Sequence, residues 1–202
     1  MKKITVDGSE YNVPQNWSDI TLKHYETFYD LRRETKIDEV LLVASISTIP
    51  YRLLSDLPLS FYNEILNTIL FVFDNIQYKA LSYIKDSEDN TYYVNTSQEL
   101  TLGQWVDIEL INENTDSKTK LSDILAIVCL KKNEKYLPEL SETRKELFGS
   151  LSMDKIFPIL TFFLKLNERL KRITELYLKI QKQIDQYQEN TEVLQSVGVG
   201  KR

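Results

Sequence analysis

The residues able to do chemistry are few. His24 is the only histidine and Cys129 the only cysteine. One thiol cannot build a disulfide framework within the chain or a zinc site made of several thiolates. Cys129 sits among Ile127, Val128 and Leu130 in a run from Leu121 to Leu130 that reads as a nearly all-apolar helix. That surrounding predicts an inert buried thiol, although Lys131 and Lys132 follow it. His24 stands three residues after Thr21, and Gln104 stands three residues after Thr101. Thr-x-x-Gln is a capping box, in which hydroxyl and amide satisfy each other's backbone N–H at a helix start. His24 is therefore expected to open a helix, not to catalyse. The carboxylates Asp107, Glu109, Glu113 and Asp116 cluster in sequence, as they would to hold Mg²⁺ or to cleave a glycoside. However, Asp107 and Glu109 lie two apart on a helix and face different ways. Asp86, Glu88 and Asp89 lack the glycine and spacing of a calcium loop. Both groups read as solvated acidic faces. With five glycines and no phosphate-cradling pattern, the expectation is no catalytic, cofactor-binding or metal residue, no cofactor and no enzymatic activity.

The elements that would position these residues form two similar runs. Ile4 to Val13 alternates around Asp7-Gly8, the strongest short hairpin signal. A helix then starts at Thr21. A second covers about Asp38 to Ser47, apolar nearly all round and stopped by Pro50. A third runs from about Ser60, its cap, to Asp74. Tyr78 to Ile84 and Thr91 to Val94 make another hairpin. Helices follow from Thr101 to about Ile111, from Leu121 to Leu130 and from Ser141 to Phe148, and Ser152 opens a long one. Ile20-Thr21-Leu22-x-His24-Tyr25 lies over Leu100-Thr101-Leu102-x-Gln104-Trp105 at an offset of 80. Leu59-Ser60 likewise resembles Leu151-Ser152. The common order points to an internal duplication. The expected fold is α+β, mainly α: two copies of a hairpin-plus-three-helix unit with a long C-terminal helix. The expected segments are 1–76, 77–164, an extended heptad helix over 165–190 and a flexible tail over 191–202.

From Ser152 to about Asn190 the chain reads as one helix with an early interruption at Pro158. Ile159, Phe163, Leu166, Leu170, Ile173, Tyr177, Ile180, Ile184 and Tyr187 alternate spacings of four and three, a sustained heptad seam. Thirty helical residues span about 45 Å, against a radius of gyration of roughly 17 Å for a globule of this size. The helix must cross the whole body or leave it. Beyond Leu166 the seam narrows between basic flanks that include Arg169 and Arg172. Leu166, Leu170, Ile173, Tyr177, Ile180, Ile184 and Tyr187, with Arg169 and Arg172, are the candidate interface. The e and g places lack the opposite charges that dictate a self-paired zipper. A neighbouring subunit or another protein is the expected cover, with folding back along its own bundle as the alternative, and head-to-tail contacts would close into a ring where the rotation permits.

The whole composition narrows the partners. The chain has 202 residues and a net charge of −5, with a pI of about 5.1. An acidic chain has no electrostatic footprint for nucleic acid. The most apolar window, Ile156 to Leu166, is too short to span a bilayer. Met1-Lys2-Lys3 leads into strand-like sequence with no apolar signal core, which predicts a cytoplasmic origin. Trp17 and Trp105 both neighbour a capped helix start. Core filling accounts for most of the aromatic residues, and an interface would use the rest.

Trp17-Ser-Asp-Ile-Thr-Leu-Lys-His-Tyr25 and Glu99-Leu-Thr-Leu-Gly-Gln-Trp-Val-Asp107 resemble openings of small proteins of tailed bacteriophages. The Asn-, Ile-, Lys- and Tyr-rich usage is similar to that of crAss-like phages of Bacteroidota. The resemblance covers only these two patches and carries over no functional residue. It implies a virion structural protein, a ring or adaptor of the neck or tail on the portal, or else a soluble tail-assembly chaperone. The implied partners are copies of itself and other neck or tail proteins, with no small-molecule substrate, nucleic acid or membrane. The implied location is the virion, with the host cytoplasm during assembly.

Overall fold

The computed structural model describes residues 1–32, 34–74, 76–94, 100–114, 117–166, 168, 172, 175 and 178–182. The fold is α+β and mainly α, with two small antiparallel sheets. It divides into two units, Met1–Leu160 and Thr161–Arg202.

The first unit opens with a hairpin of β1 (Lys2–Val6) and β2 (Ser9–Val13). Asp7 and Gly8 both take positive φ, 47° and 76°, as a two-residue turn matched to strand twist requires. Ile4, Val6 and Val13 are buried. Next come α1 (Leu22–Tyr25), α2 (Lys36–Ser47), α3 (Tyr51–Ser55) and α4 (Leu59–Ile69). The second sheet follows, with strand order β3-β4-β5 (Tyr83–Lys85, Thr91–Val94, Cys129–Lys131). Between β4 and β5 lie α5 (Leu102–Glu113) and α6 (Lys120–Val128). The unit ends with α7 (Ser141–Ser150) and α8 (153–160). α1 packs against α6 and α7, so early and late segments share one core. Phe148 is fully buried in it, with the Tyr92 ring edge-on at 5.2 Å.

Several expectations are corrected. Cys129 does not end a helix: α6 stops at Val128 and Cys129 begins β5, paired with Val94. α2 is not apolar all round in its surroundings. Leu42, Val43 and Ile46 face the core while Ile37 and Leu41 are exposed. α2 starts earlier than expected because Thr35 and Asp38 form a full capping box, and it ends at Thr48 in the left-handed region. Pro50 does not stop it but begins α3, and Pro58, not Ser60, occupies the N-cap of α4. Pro suits a helix start because its missing N–H costs nothing there. Pro158 does not interrupt α8. Instead its carbonyl accepts from the Leu81 N–H at 3.0 Å.

A short bridge joins two helix starts distant in sequence. Thr21 lies antiparallel to Ser152. Leu22 N–H donates to Leu151 O and Met153 N–H donates to Ile20 O, both at 2.8 Å. Ile20, Leu22 and Met153 are fully buried. Beside this bridge Trp17 meets Tyr25, Phe71 and Phe157 edge-on, the last with centroids 4.7 Å apart. Trp17 is thus a core residue.

In the second unit residues 161–166, 168, 172, 175 and 178–182 are helical.

Candidate interaction surface

The two sequence-matched helix starts are built alike. The Thr21 hydroxyl accepts from His24 N–H at 3.2 Å, and the Thr101 hydroxyl accepts from Gln104 N–H at 3.3 Å. Gln104 completes its box, its Oε1 accepting from Thr101 N–H at 3.0 Å, and its Nε2 also donates to Ile127 O at 3.0 Å. His24 does not complete a box. Its Nε2 lies 2.8 Å from Ser45 O. In each case the third residue of one helix ties down a carbonyl near the end of the next.

α6 has no exposed residue, and buried charges hold both its ends. At its N-terminus the Glu26 carboxylate accepts from Ser122 N–H at 2.8 Å and from the Ser122 hydroxyl at 2.9 Å. Burial pushes the Glu26 carboxyl above its ordinary value, and the bonds from Ser122 offset part of that rise. Near its C-terminus Arg144 donates to Ala126 O at 3.1 Å and to Glu134 Oε1 at 2.7 Å. Negative charge at a helix N-terminus and positive charge at its C-terminus both favour the helix dipole. No motif announces Glu26 or Arg144, and sequence reasoning missed both.

The structure places the remaining chemical candidates apart. Asp107 accepts from the Tyr136 hydroxyl, and burial followed by that bond pushes the Tyr136 hydroxyl up to about 12. Glu109 and Glu113 are exposed, and Asp116 lies outside the described residues. Asp86 is not solvated, contrary to expectation: it is buried and accepts from the backbone N–H groups of Glu88 and Asn90 and from the Asn90 amide. It organises the β3–β4 turn as an Asx motif. Burial alone would raise the Asp86 carboxyl, but these bonds hold it below the usual value. Among the described residues no group of three or more His, Cys, Asp or Glu could hold a metal. No described helix is long and apolar enough to cross a membrane.

Burial pushes the Cys129 thiol up to about 12, with Arg144 pulling weakly the other way. An alkylating reagent should therefore leave native protein unlabelled at neutral pH and label it fully in denaturant. Mass spectrometry reads the difference, and fast native labelling would contradict a buried thiol.

Of the expected interface, Leu166 is half-buried while Arg172 and Ile180 are exposed, all three helical. Arg169, Leu170, Ile173, Tyr177, Ile184 and Tyr187 lie outside the described residues. The structure adds two apolar surfaces within the first unit. Val40, Leu54, Leu57, Leu59 and Leu66 line an open groove of about 410 Å³ between α2, α3 and α4. The Tyr62 hydroxyl is buried beside it with no hydrogen-bond partner among the described residues. The second surface is α5, which buries only Gln104. Leu102, Trp105, Val106 and Leu110 stand exposed along it. Their spacing of three and four was visible in the sequence as one helical stripe, though as a stripe facing outward it could not be told from a core face. Comparison with protein-family models, with curated proteins and with solved structures finds no match to this chain.

Proposed function

We propose that the chain is a non-catalytic assembly subunit of a tailed-phage particle. It serves as a ring or adaptor of the neck or tail, in contact with copies of itself and with other neck or tail proteins. The observation that carries this is the bare apolar face of α5. A contiguous exposed stripe of leucine, valine and tryptophan marks a protein-binding surface more often than it occurs by chance on a monomer. The resemblance of residues 17–25 and 99–107 to small phage proteins supplies the setting. An internal duplication belongs to the same proposal. It is supported by the shared Thr cap and by the side chain three residues later that reaches a carbonyl of the following helix. The long C-terminal heptad helix is the proposed second contact, with Ile180 exposed.

Light scattering of the full chain at rising concentration tests association. Mass spectrometry of particles purified from a producing culture tests incorporation. Association together with many copies per particle supports the ring. A chain bound to tail proteins in the lysate but absent from particles supports a soluble assembly chaperone instead. A chain monomeric throughout, with neither association, overturns both.

A further inference from the structure

We infer that the start of α5 pairs two copies of this chain about a two-fold axis. Leu100-Thr101-Leu102 of one copy lies antiparallel to the same residues of the other. This rests on the assembly reading above and names its partner. The chain itself shows how such a helix start is covered. Ile20-Thr21-Leu22 meets Leu151-Ser152-Met153 through two reciprocal backbone bonds. Each segment is a large aliphatic residue, a hydroxyl residue and a second long apolar one. In both, the residue after the hydroxyl is fully buried. Flanking the bridge, Tyr25, four residues after Thr21, meets Phe157, five after Ser152, with centroids 5.8 Å apart.

Leu100-Thr101-Leu102 has the same pattern and the same backbone. Thr101 lies at φ −66°, ψ 157°, and Thr21 at φ −79°, ψ 160°. Trp105 and Val106 stand four and five residues on. Here none of the described residues covers them: exposure is 49% at Leu100, 76% at Leu102, 53% at Trp105, 40% at Val106 and 59% at Leu110. Among the described residues the Leu102 N–H and Leu100 C=O have no backbone partner. A neighbour cannot lend its Leu151–Met153, because its own Ile20–Leu22 already occupies that segment. A segment that fits both roles of the bridge is self-complementary, and a self-complementary patch closes as an isologous dimer. Leu102 N–H of each copy then donates to Leu100 O of the other, and each Trp105 packs on the other's Val106. The four side chains from Leu100 to Val106 offer on the order of 450 Å² per copy, so pairing removes on the order of 900 Å² from water, the size of a weak, reversible interface. Glu109 lies about 12 Å along the helix from Thr101, outside the pairing centre.

The test is Thr101→Cys in the full chain. Facing residues of such a non-hydrogen-bonded antiparallel pair have Cα atoms about 4.5 Å apart, within disulfide range. Mild oxidation should give a covalent dimer on a non-reducing gel, much faster than Ser87→Cys in the exposed β3–β4 turn. Wild type should give none, because Cys129 is buried. Leu102→Asp, at an exposed site, should keep its circular dichroism and lose the dimer by light scattering. Cross-linking no faster than Ser87→Cys, or a Leu102→Asp variant that associates as wild type does, overturns the two-fold pairing. A wild type that still self-associates or enters particles then leaves the assembly reading standing. A chain monomeric because its own C-terminal segment covers α5 also overturns the pairing.

Discussion

Replacing Arg144 by Ala should lower the free energy of unfolding by about 3–5 kcal/mol, the usual cost of removing one member of a buried ion pair. Arg144 is 6% exposed. Its guanidinium is shared between Ala126 O and Glu134 Oε1. Ala126 belongs to the last turn of α6, whose carbonyls have no partner within the helix. Truncation leaves that carbonyl without its donor, opens a void where the stem had packed, and leaves Glu134 Oε1 without its cation, while Oε2 keeps the Lys131 N–H. The Glu134 side chain is partly exposed, so water recovers some of its share and the lower half of the range is expected. Arg144→Lys keeps the charge but reaches only one acceptor, and should fall between wild type and Ala. Urea unfolding followed by circular dichroism measures both. A loss below about 1 kcal/mol for Ala would mean that the pair contributes as little as a surface salt bridge does.

Glu26→Ala should cost about 2–3 kcal/mol, because it strips the other end of the same helix. The cap alone accounts for about 1–2 kcal/mol, and the cavity adds the remainder. Its pH dependence has a definite sign. Burial holds the folded-state carboxyl above its unfolded value, so the folded protein keeps this proton more tightly. The contribution is fully present below the ordinary carboxylate range and is lost as pH rises through the raised value. Wild type measured against Glu26→Gln, which cannot titrate, should therefore lose relative stability as pH rises across that window. Asp86, held low, contributes in the opposite sense and loses its effect as pH falls. A wild-type-minus-Gln difference that grows with pH would mean that the Ser122 bonds outweigh burial.

Local signals carried much of the fold. Asp7-Gly8 specified its hairpin, Thr101 and Gln104 their box, and the apolar run after Leu121 a buried helix, because each depends on neighbours within a few residues. What failed depended on neighbours far along the chain. Cys129 and Leu130 leave helical geometry because β4 offers an unpaired edge to Cys129–Lys131, and no helical pattern encodes that edge. Pro50 reads as a stop from the sequence alone, though proline serves equally at a helix start. Glu26 and Ser122 meet across 96 residues, and nothing near either announces the other. Asp86 looked like loop charge because its acceptor role depends on the turn closing first. The α5 stripe follows from residue spacing alone but was not read from the sequence. That it faces outward depended on which elements arrive to cover α1 and leave α5 bare.

The bridge between Thr21 and Ser152 also bears on synthesis. Ile20 and Leu22 complete their backbone pairing with Leu151 and Met153, so on the ribosome this part of the core closes only after nearly the whole first unit has been translated. Contacts so far apart in sequence close late, and a nascent chain in that state is exposed to proteases and to pairing with its neighbours on the same message. A premature stop before Leu151 would thus cost more than the residues it removes, because it leaves the backbone of Ile20 and Leu22 without its pairing partner.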